Sequence, residues 1–445
     1  MTTSENADTQ STVSTPPQAP QGSPQCPADP GAPFDDAFHT APHAVLAWFR
    51  EHRPVAEVSL PNGLRAWLLT RDDDVRAALG DPRLVHDTRR FPEAWRSLDW
   101  NSPAGDMISA YGRNLSSADS PEHERYHTAV ARAFTVRRAE ELRPRVQRTV
   151  DALLERLPAD EPVDLLGQFA VPLSVSVMCE IVGVPESDRP DFLDFVRRTV
   201  SVDDDNDGAG LRASAMRTFE LLTAYVRERK GGSAGSGDSH GDLMGEVTAQ
   251  AEREGIPEED VVTVLFHLFV AGFDTTGAFI GNMVRGLIER PRLMASLREH
   301  PERLPDAVEE FLRFDGSARM GVWRFAAEDI ELGGRRIPAG SLVIVSLAAA
   351  NRDPARFADA GTLDPDREDV AGHLAFGRGR HRCTGAALAR VEAETAVGTL
   401  VRRHPHLRLA TEEPLRRRIV VTLHGLRRLP VVLGPAAREP GESSS

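Results

Sequence analysis

The segment from Glu258 to Arg290 constrains the fold of this 445-residue chain more than any other stretch. It follows Pro257 and opens with two glutamates, a combination that is typical of a helix start, and no proline interrupts it. A helix of this length would be about 50 Å long at 1.5 Å per residue. Because its first half is apolar on nearly all sides, the helix must be buried through the middle of the protein.

Composition indicates a soluble globular protein. The chain is 40% hydrophobic and 27% charged, and its net charge of −14 argues against nucleic-acid binding. The longest apolar stretch, Val261 to Ala271, is interrupted by polar residues and is too short to span a bilayer, so we expect no membrane partner. The start of the chain lacks the pattern of a secretory signal. Three widely spaced cysteines predict no disulfide framework and a cytoplasmic location: Cys26, Cys179 and Cys383.

Composition along the chain divides it into three parts. Residues 1–30 are rich in Ser, Thr, Pro, Gln and Gly and are predicted to be a disordered N-terminal tail. Residues 31–436 are predicted to form a single domain, and residues 437–445 a flexible C-terminal tail. The Gly- and Ser-rich stretch 230–241 and the acidic run from Asp203 to Asp207 are predicted to be solvated loops.

Between these breaks the hydrophobic pattern is mainly helical. Apolar residues recur at helical spacing in segments 135–157, 210–230 and 242–254, and another helix is predicted from Pro305 to Gly316. Strands are predicted at 329–332, 336–337 and 342–346, and a second strand pair at 419–423 and 430–433. The predicted fold class is therefore mainly α with small β-sheets.

The segment from Phe376 to Gly385 carries the strongest chemical signal. Gly377 and Gly379 permit a tight turn through which backbone can approach a flat cofactor. Cys383 precedes a predicted helix that runs to Arg403, and a helix N-terminus favours a thiolate. A lone thiolate does not fit structural zinc but does fit an axial ligand of haem iron. The alternative for a lone cysteine is a buried core residue.

The sequence Phe376-Gly-Arg-Gly-Arg-His-Arg-Cys383-Thr-Gly385 resembles the haem loop of the cytochrome P450 family, in its bacterial soluble branch, at every specified position. The resemblance implies haem b (iron protoporphyrin IX) between the long central helix and this loop, with Cys383 as the iron ligand. It also implies that Phe376, Gly377 and Gly385 contact the cofactor, and that residues 31–436 form one haem-thiolate monooxygenase domain.

A second motif, Ala271-Gly-Phe-Asp-Thr-Thr276, lies within the long helix. Asp274 is costly there unless it has a partner or water, and Thr275 adds a hydroxyl beside it. The pair suits a proton relay next to a bound ligand. The alternative is a Thr275 hydroxyl bonded to the i−4 carbonyl, with Asp274 turned to solvent. The family resemblance implies that Ala271 faces the haem, Thr275 hydrogen-bonds dioxygen and Asp274 relays protons.

A third motif is the pair Glu310 and Arg313, three residues apart on a predicted helix. Alone, this spacing also occurs in solvated surface ion pairs. The resemblance implies a buried structural triad with Arg367, whose role is folding around the haem.

Haem carries two carboxylates that need cations or hydrogen-bond donors. The resemblance assigns His123, Arg324 and His381 to these propionates, although each alone could be a solvated surface residue. The family pattern has Arg where this chain has His127, so the charge at that position depends on pH.

Substrate contacts are predicted from the same helix face as Ala271, at His267 and Val270. For His267 the alternative is a core histidine that bonds a neighbouring element. Further candidates lie in the stretch from Ser317 to Trp323 and in segment 91–115, whose large side chains are Trp95, Trp100, Met107 and Tyr111.

The resemblance implies a monooxygenase that hydroxylates or epoxidises a small organic substrate, such as a specialised metabolite, with dioxygen. No flavin or nicotinamide motif is present, so a ferredoxin with its ferredoxin reductase would supply electrons from NAD(P)H. The basic loop residues Arg378, Arg380, Arg382 and Arg390 suit docking of an acidic ferredoxin. The alternatives are a peroxygenase or oxidative-coupling enzyme, and a non-catalytic haem-binding partner protein.

Overall fold

A computed structural model describes residues 29–90, 113–205, 208–230 and 243–436 of the chain. The helices of these segments surround one long central helix, α10. In chain order they are α1 (Asp36–Thr40), α2 (Pro42–His52), α3 (Asp72–Gly80), α4 (Glu122–Ala131), α5 (Val136–Leu154), α6 (Val171–Val182), α7 (Arg189–Asp205), α8 (Gly208–Lys230), α9 (Leu243–Glu254), α10 (Glu258–Ile288), α11 (Pro291–Glu299), α12 (Leu304–Asp315), α13 (Leu347–Ala350) and α14 (Ala386–Arg403).

The strands form small sheets at the side of this helical body. One sheet has the order β1-β2-β8-β5-β3, in which β2 and β8 are parallel and the other neighbours antiparallel. A second has the order β4-β10-β9, and β6 and β7 form a hairpin. The strands are β1 (Val55–Ser59), β2 (Arg65–Leu69), β3 (Leu84–Val85), β4 (Val163–Asp164), β5 (Arg324–Ala326), β6 (Ile330–Leu332), β7 (Arg335–Ile337), β8 (Leu342–Val345), β9 (Arg408–Leu409) and β10 (Pro430–Val432).

Helix α10 is packed so closely that glycine is required along it. A Cβ atom at Gly272 would overlap Met178 of α6, and one at Gly281 would overlap Leu166. A Cβ at Gly277 would lie 3.2 Å from the Val171 side chain. These close approaches fix the rotation of α10 about its axis, and with it the direction of every other side chain on the helix.

Helix α10 is also the one described helix that is long and apolar enough to cross a membrane. However, 78% of its most apolar window is buried inside the protein. Its apolar surface is therefore matched by the surrounding helices, as the all-round hydrophobic pattern predicted.

The mainly α fold with small sheets is confirmed, and the six helices predicted from the sequence begin and end within a few residues of their predicted limits. The predicted strand pair at 419–423 and 430–433 is wrong. Strand β10 pairs with β4 and β9, whereas the other segment makes only an isolated bridge between Leu423 and Ala318. Both segments are apolar and β-branched, so the sequence identifies extended backbone but not its partner.

The prediction of a loop for the acidic run from Asp203 is also wrong over its first part, because helix α7 continues to Asp205. Acidic side chains do not end a helix by themselves, and no glycine or proline occurs in this run. The predicted tails, apart from residues 29–30, and the Gly- and Ser-rich loop after Lys230 lie outside the described residues.

Candidate active site

The loop from Phe376 to Gly385 turns sharply before α14. Gly377 and Gly379 have φ angles of 66° and 79°, which side chains disfavour. A Cβ at Gly379 would lie 2.9 Å from the Leu79 carbonyl oxygen, so this turn also excludes a side chain sterically. The Cys383 N–H donates to the Phe376 carbonyl oxygen at 2.8 Å and closes the loop.

The Cys383 thiol lies in the loop that precedes α14. Its side chain is exposed, yet it lies deep enough that desolvation raises the thiol pKa. The Gly385 N–H and the cations of Arg382 and Arg390 act in the opposite direction, because they favour the thiolate. Cys179, the other described cysteine, is buried in α6, where burial raises its pKa to about 12. Of the two, only Cys383 is placed to bind a metal.

Three histidine rings meet beside this loop. The ring centroid of His381 is 3.7 Å from that of His86 and 4.3 Å from that of His123. Desolvation lowers the pKa of His123 to about 4 and that of His381 to about 3, so both rings are neutral near pH 7. The Nδ1 atoms of His86 and His123 are buried without a hydrogen-bond partner among the described residues. They can therefore hydrogen-bond a ligand that enters this place.

Arg324 adds a buried positive charge to the histidine cluster. Its side chain donates to the Val322 carbonyl oxygen at 2.6 Å, and burial lowers its pKa to about 10, with no described carboxylate acting on it. Arg324 also acts electrostatically on His86 and His381. A buried guanidinium without an acid is costly, so this place fits the carboxylates of a haem.

Asp119 brings the histidines together from separate elements. Its carboxylate accepts the backbone N–H groups of His86 and Asp87, each at 3.0 Å, and its carbonyl oxygen accepts that of His123 at 2.9 Å. The end of β3 is thereby tied to the start of α4. His127 lies one turn further along α4, half-buried, with its ring 5.7 Å from that of His123.

His86 was missed in the sequence analysis. It follows a strand of two residues and belongs to no motif, and its place in the cluster depends on the distant Asp119.

Leu115 and Ser116 connect the cysteine loop to α10. The His381 Nδ1 atom lies 3.0 Å from the Leu115 carbonyl oxygen, and the Ser116 hydroxyl lies 3.1 Å from His267 Nε2. His267 is one turn before Ala271 on the helix, and α10 packs against α14. The two motifs predicted to enclose a haem are therefore connected through residues 115–116, and we call the region between them the cleft.

The arrangement of Asp274 and Thr275 differs both from the predicted proton relay and from the predicted structural alternative. The Thr275 hydroxyl donates to the Ala271 carbonyl oxygen at 2.7 Å, as the structural alternative predicted. The Asp274 carboxylate does not point to open solvent, because it accepts a hydrogen bond from the Arg418 guanidinium. Of the predicted neighbours on this helix, Val270 is buried and Ala271 half-buried.

Comparisons with known proteins agree with this geometry. A family model described as Cytochrome P450 matches residues 161–422. Cytochrome P450 107B1 of Saccharopolyspora erythraea is 40% identical over 403 residues, which are 89% of this chain and 96% of that protein. The chain belongs to the cytochrome P450 family. It is thus a haem-dependent monooxygenase, and the residues around Cys383 fit that cofactor.

Two further P450 relatives match over nearly their whole length. Mycinamicin IV hydroxylase/epoxidase of Micromonospora griseorubida is 37% identical over 419 residues, 91% of this chain and 99% of that protein. The solved structure of the tirandamycin C-bound P450 monooxygenase TamI has a TM-score of 0.80 and 36% identity, and the match covers 90% of this chain and 99% of that one.

Behind the P450 cysteine loop, Glu310 forms a buried ion-pair network. Both its carboxylate oxygens accept hydrogen bonds from Arg313 at 2.7 Å, and Arg367 approaches at 3.4 Å. Arg313 also donates to carbonyl oxygens of Asn351, Ala360 and Thr362. The structure thus brings the predicted triad together and satisfies the arginine's donors, so the pair is not the solvated surface pair of the alternative.

Glu309, the neighbour of Glu310, binds two residues that flank the cysteine loop. It accepts hydrogen bonds from Arg390 of α14 at 2.8 Å and from His373 at 3.1 Å. Burial raises the Glu309 pKa, but these hydrogen bonds outweigh burial and bring the pKa to about 2. Arg390 was predicted to belong to a docking surface for a redox partner. In the structure its charge is paired with Glu309.

Part of the predicted substrate pocket lies outside the described residues, namely Trp95, Trp100, Met107 and Tyr111. In the other predicted stretch, Met320 and Trp323 are buried, and the Arg319 N–H donates to the Thr422 carbonyl oxygen at 2.8 Å.

The first prediction concerns the pH dependence of stability at His267. Desolvation lowers its pKa from 6.5 to about 4, so the folded protein keeps it neutral in a range where the unfolded chain protonates it. Stability is therefore lost as pH falls from about 6.5 to about 4. His267→Leu should flatten this loss by up to about 1.4 kcal/mol per pH unit, measured by urea unfolding between pH 7 and pH 5.

Ser116→Ala is the matched control, because it removes the hydrogen-bond partner but keeps the titrating ring. It should retain most of the parental slope. Equal slopes for His267→Leu and the parent would show that this histidine does not contribute to the acid sensitivity.

Proposed function

We propose that this P450 uses dioxygen to hydroxylate or epoxidise a specialised metabolite in the cytoplasm, with haem b as prosthetic group and residues 31–436 as one catalytic domain. The observation that carries the proposal is the cleft shared by Cys383, the histidine cluster and the Ala271–Thr275 face of α10. When bound, the haem supplies activation of dioxygen, and a thiolate ligand favours cleavage of the O–O bond.

We propose a separate role in cofactor binding for each group of residues in the cleft. Cys383 provides the iron ligand, and Phe376, Gly377 and Gly385 shape the loop that presents it. His123, His127, Arg324 and His381 would hold the propionates, and His86 would join them because its ring packs against that of His381. Ala271, with its small side chain, leaves room above the cofactor face.

The substrate contacts we propose are His267 and Val270 on α10. The neutral His267–Ser116 pair offers a hydrogen bond to an oxygenated group, and Val270 offers apolar surface. The relatives support a specialised metabolite, because one is named as a mycinamicin hydroxylase/epoxidase and another structure holds tirandamycin C.

The main test uses the iron ligand and labelled oxygen. The reduced parent with carbon monoxide should show the red-shifted Soret band of a thiolate-bound haem, and Cys383→Ser should lose it, because serine is a poor iron ligand. Cys179→Ser should keep the band. With labelled dioxygen and a converted substrate, one labelled atom should appear in the product.

Other results of these two experiments would support one of the alternative functions. A thiolate band with unlabelled product would indicate a peroxygenase or oxidative-coupling enzyme. A thiolate band without turnover of any metabolite panel would indicate a haem-binding partner protein. An unchanged spectrum in Cys383→Ser would contradict the proposal itself.

A second test concerns proton delivery by Asp274 and Thr275. We propose that the Thr275 hydroxyl turns from the Ala271 carbonyl oxygen towards dioxygen, while Asp274 passes protons from water. Thr275→Ala should retain haem and substrate binding but divert electrons to hydrogen peroxide. Asp274→Asn should slow turnover, with a loss of about 10²-fold, because the proton donor is removed. Product and peroxide are measured per reducing equivalent; parental ratios and rates in both variants would assign the two residues a structural role only.

We propose that electrons reach the haem from a separate protein, a ferredoxin with its reductase. Arg378, Arg380 and Arg382 are exposed on the loop that carries Cys383, and Arg380 has only a distant carboxylate, Glu124, at 3.9 Å. Arg390 is excluded from this surface because it pairs with Glu309. Three exposed cations beside the iron ligand form a docking surface for an acidic partner.

Charge reversal tests the docking surface. Arg378→Glu should slow reduction by an acidic ferredoxin several-fold at low ionic strength, since it removes electrostatic steering. Arg408→Glu, an exposed arginine on β9, is the control and should reduce at the parental rate. Stopped-flow reduction rates should fall with salt for the parent; equal rates for both variants would place docking elsewhere.

A further inference from the structure

A C-terminal hairpin of residues 416–427 packs along α10. It is closed by hydrogen bonds from Arg427 N–H to the Arg416 carbonyl oxygen at 2.9 Å and from Arg418 N–H to the Gly425 carbonyl oxygen at 3.0 Å. A Cβ at Gly425 would lie 3.0 Å from Cβ of Ala278, so the two backbones approach as closely as a glycine allows. Ala278 lies one helical turn after Asp274.

The hairpin is anchored one turn further along the same helix face. The Asn282 amide donates to the carbonyl oxygens of His424 at 2.8 Å and of Asp315 at 3.1 Å. His424 Nε2 lies 2.8 Å from the Asp315 carboxylate. Asp274, Ala278 and Asn282 therefore form one line of contact with the hairpin.

The anchor is structural, although His43, Asp315 and His424 have the residue types of a metal site. Arg319 donates to His424 Nδ1 at 3.1 Å, so the ring carries its proton on Nε2 and donates it to Asp315. Arg285 donates to the other Asp315 oxygen at 2.9 Å. With the ring proton and two guanidinium groups in place, a cation is disfavoured.

Arg418 projects from this rigid hairpin to the relay acid. Its side chain is buried, and it pairs with Oδ1 of Asp274, while its second terminal nitrogen lies 3.4 Å from the Thr199 carbonyl oxygen of α7. Arg418 Nε is buried without a partner, so no other described group competes for this guanidinium through that atom. Among the described residues, Asp274 Oδ1 is the only oxygen of this carboxylate with a hydrogen-bond partner, Arg418.

We infer that Arg418 is a positioning residue of this P450: by holding Oδ1 of Asp274 it leaves Oδ2 as the oxygen that exchanges protons with water and with Thr275. The inference rests on the proposed relay function of Asp274. A charge-assisted pair with a buried, preorganised arginine fixes the rotamer of the carboxylate, which a free aspartate on a helix would not keep.

The chemical consequence follows from the proton balance. Productive turnover places one oxygen atom in the product and releases the other as water, which consumes two electrons and two protons. If proton delivery for cleavage of the O–O bond fails, dioxygen leaves instead as hydrogen peroxide, which carries away the same number of electrons and protons. A misoriented Asp274 should therefore lower the product formed per reducing equivalent and raise the peroxide released.

The experiment compares Arg418→Gln and Arg418→Lys with Arg416→Gln in the haem-loaded protein with its redox partners. Arg416 lies in the same hairpin but is exposed, so its variant should couple like the parent. Arg418→Gln should lower the product formed per reducing equivalent at least threefold without changing the substrate dissociation constant in spectral titration. Arg418→Lys should restore part of the loss, because it keeps one charged donor.

A double variant decides whether Arg418 acts through Asp274. Asp274→Asn with Arg418→Gln should be no worse than Asp274→Asn alone. The inference would be overturned if the losses of coupling in the two single variants multiplied in the double variant. It would also be overturned if Arg418→Gln coupled like the parent or lost only substrate affinity. If Arg418→Gln does not fold, Arg418→Lys alone in both Asp274 backgrounds gives the same comparison.

The two failures can be told apart. If Asp274→Asn turns over and couples like the parent, the relay proposal fails and Arg418 has nothing to position. If Asp274→Asn is impaired but Arg418→Gln is not, the relay stands and only the positioning role is wrong.

Discussion

The burial of helix α10 is the constraint on which the rest of the structure depends. A helix enclosed on all sides must satisfy each polar side chain internally, because unpaired polar groups are costly there. Asp260 accepts from the Tyr126 hydroxyl at 2.8 Å, Asn282 donates to the hairpin, His267 meets Ser116, and Asp274 meets Arg418. These four polar residues of α10 are therefore points at which other segments attach to it.

Short sequence patterns were sufficient to predict those features of the fold that depend on residues close together in the chain. The all-round apolar pattern predicted α10, the glycines predicted the turn before Cys383, and the three-residue spacing brought Glu310 and Arg313 together on one helix. The partners that the sequence did not reveal join distant segments. Arg418 meets Asp274 and Arg390 meets Glu309 across large sequence separations, and neither pair has a periodic signal.

Electrostatics separates the cleft from the rest of the molecule. The chain carries a net charge of −14, yet the region around Cys383 contains the buried Arg324, neutral histidines and exposed arginines. Burial keeps the histidines neutral, so they add no charge repulsion to Arg324. The same arrangement keeps a buried cation inside the protein, where it suits the anionic edge of the proposed cofactor, and presents three cations outside.

Two neighbouring acids of α12, Glu309 and Glu310, bind the segments that flank the cysteine loop. Glu310 holds the segment that ends at Arg367, whereas Glu309 holds Arg390 of α14, whose guanidinium lies 4.6 Å from the Phe376 ring centroid. Arg390 is one of two cations that favour the Cys383 thiolate, and Glu309 neutralises most of its charge. The other cation, Arg382, is exposed and screened by solvent. Among the groups that favour the thiolate, the Gly385 N–H therefore has the largest effect, although desolvation outweighs it and raises the pKa of the thiol.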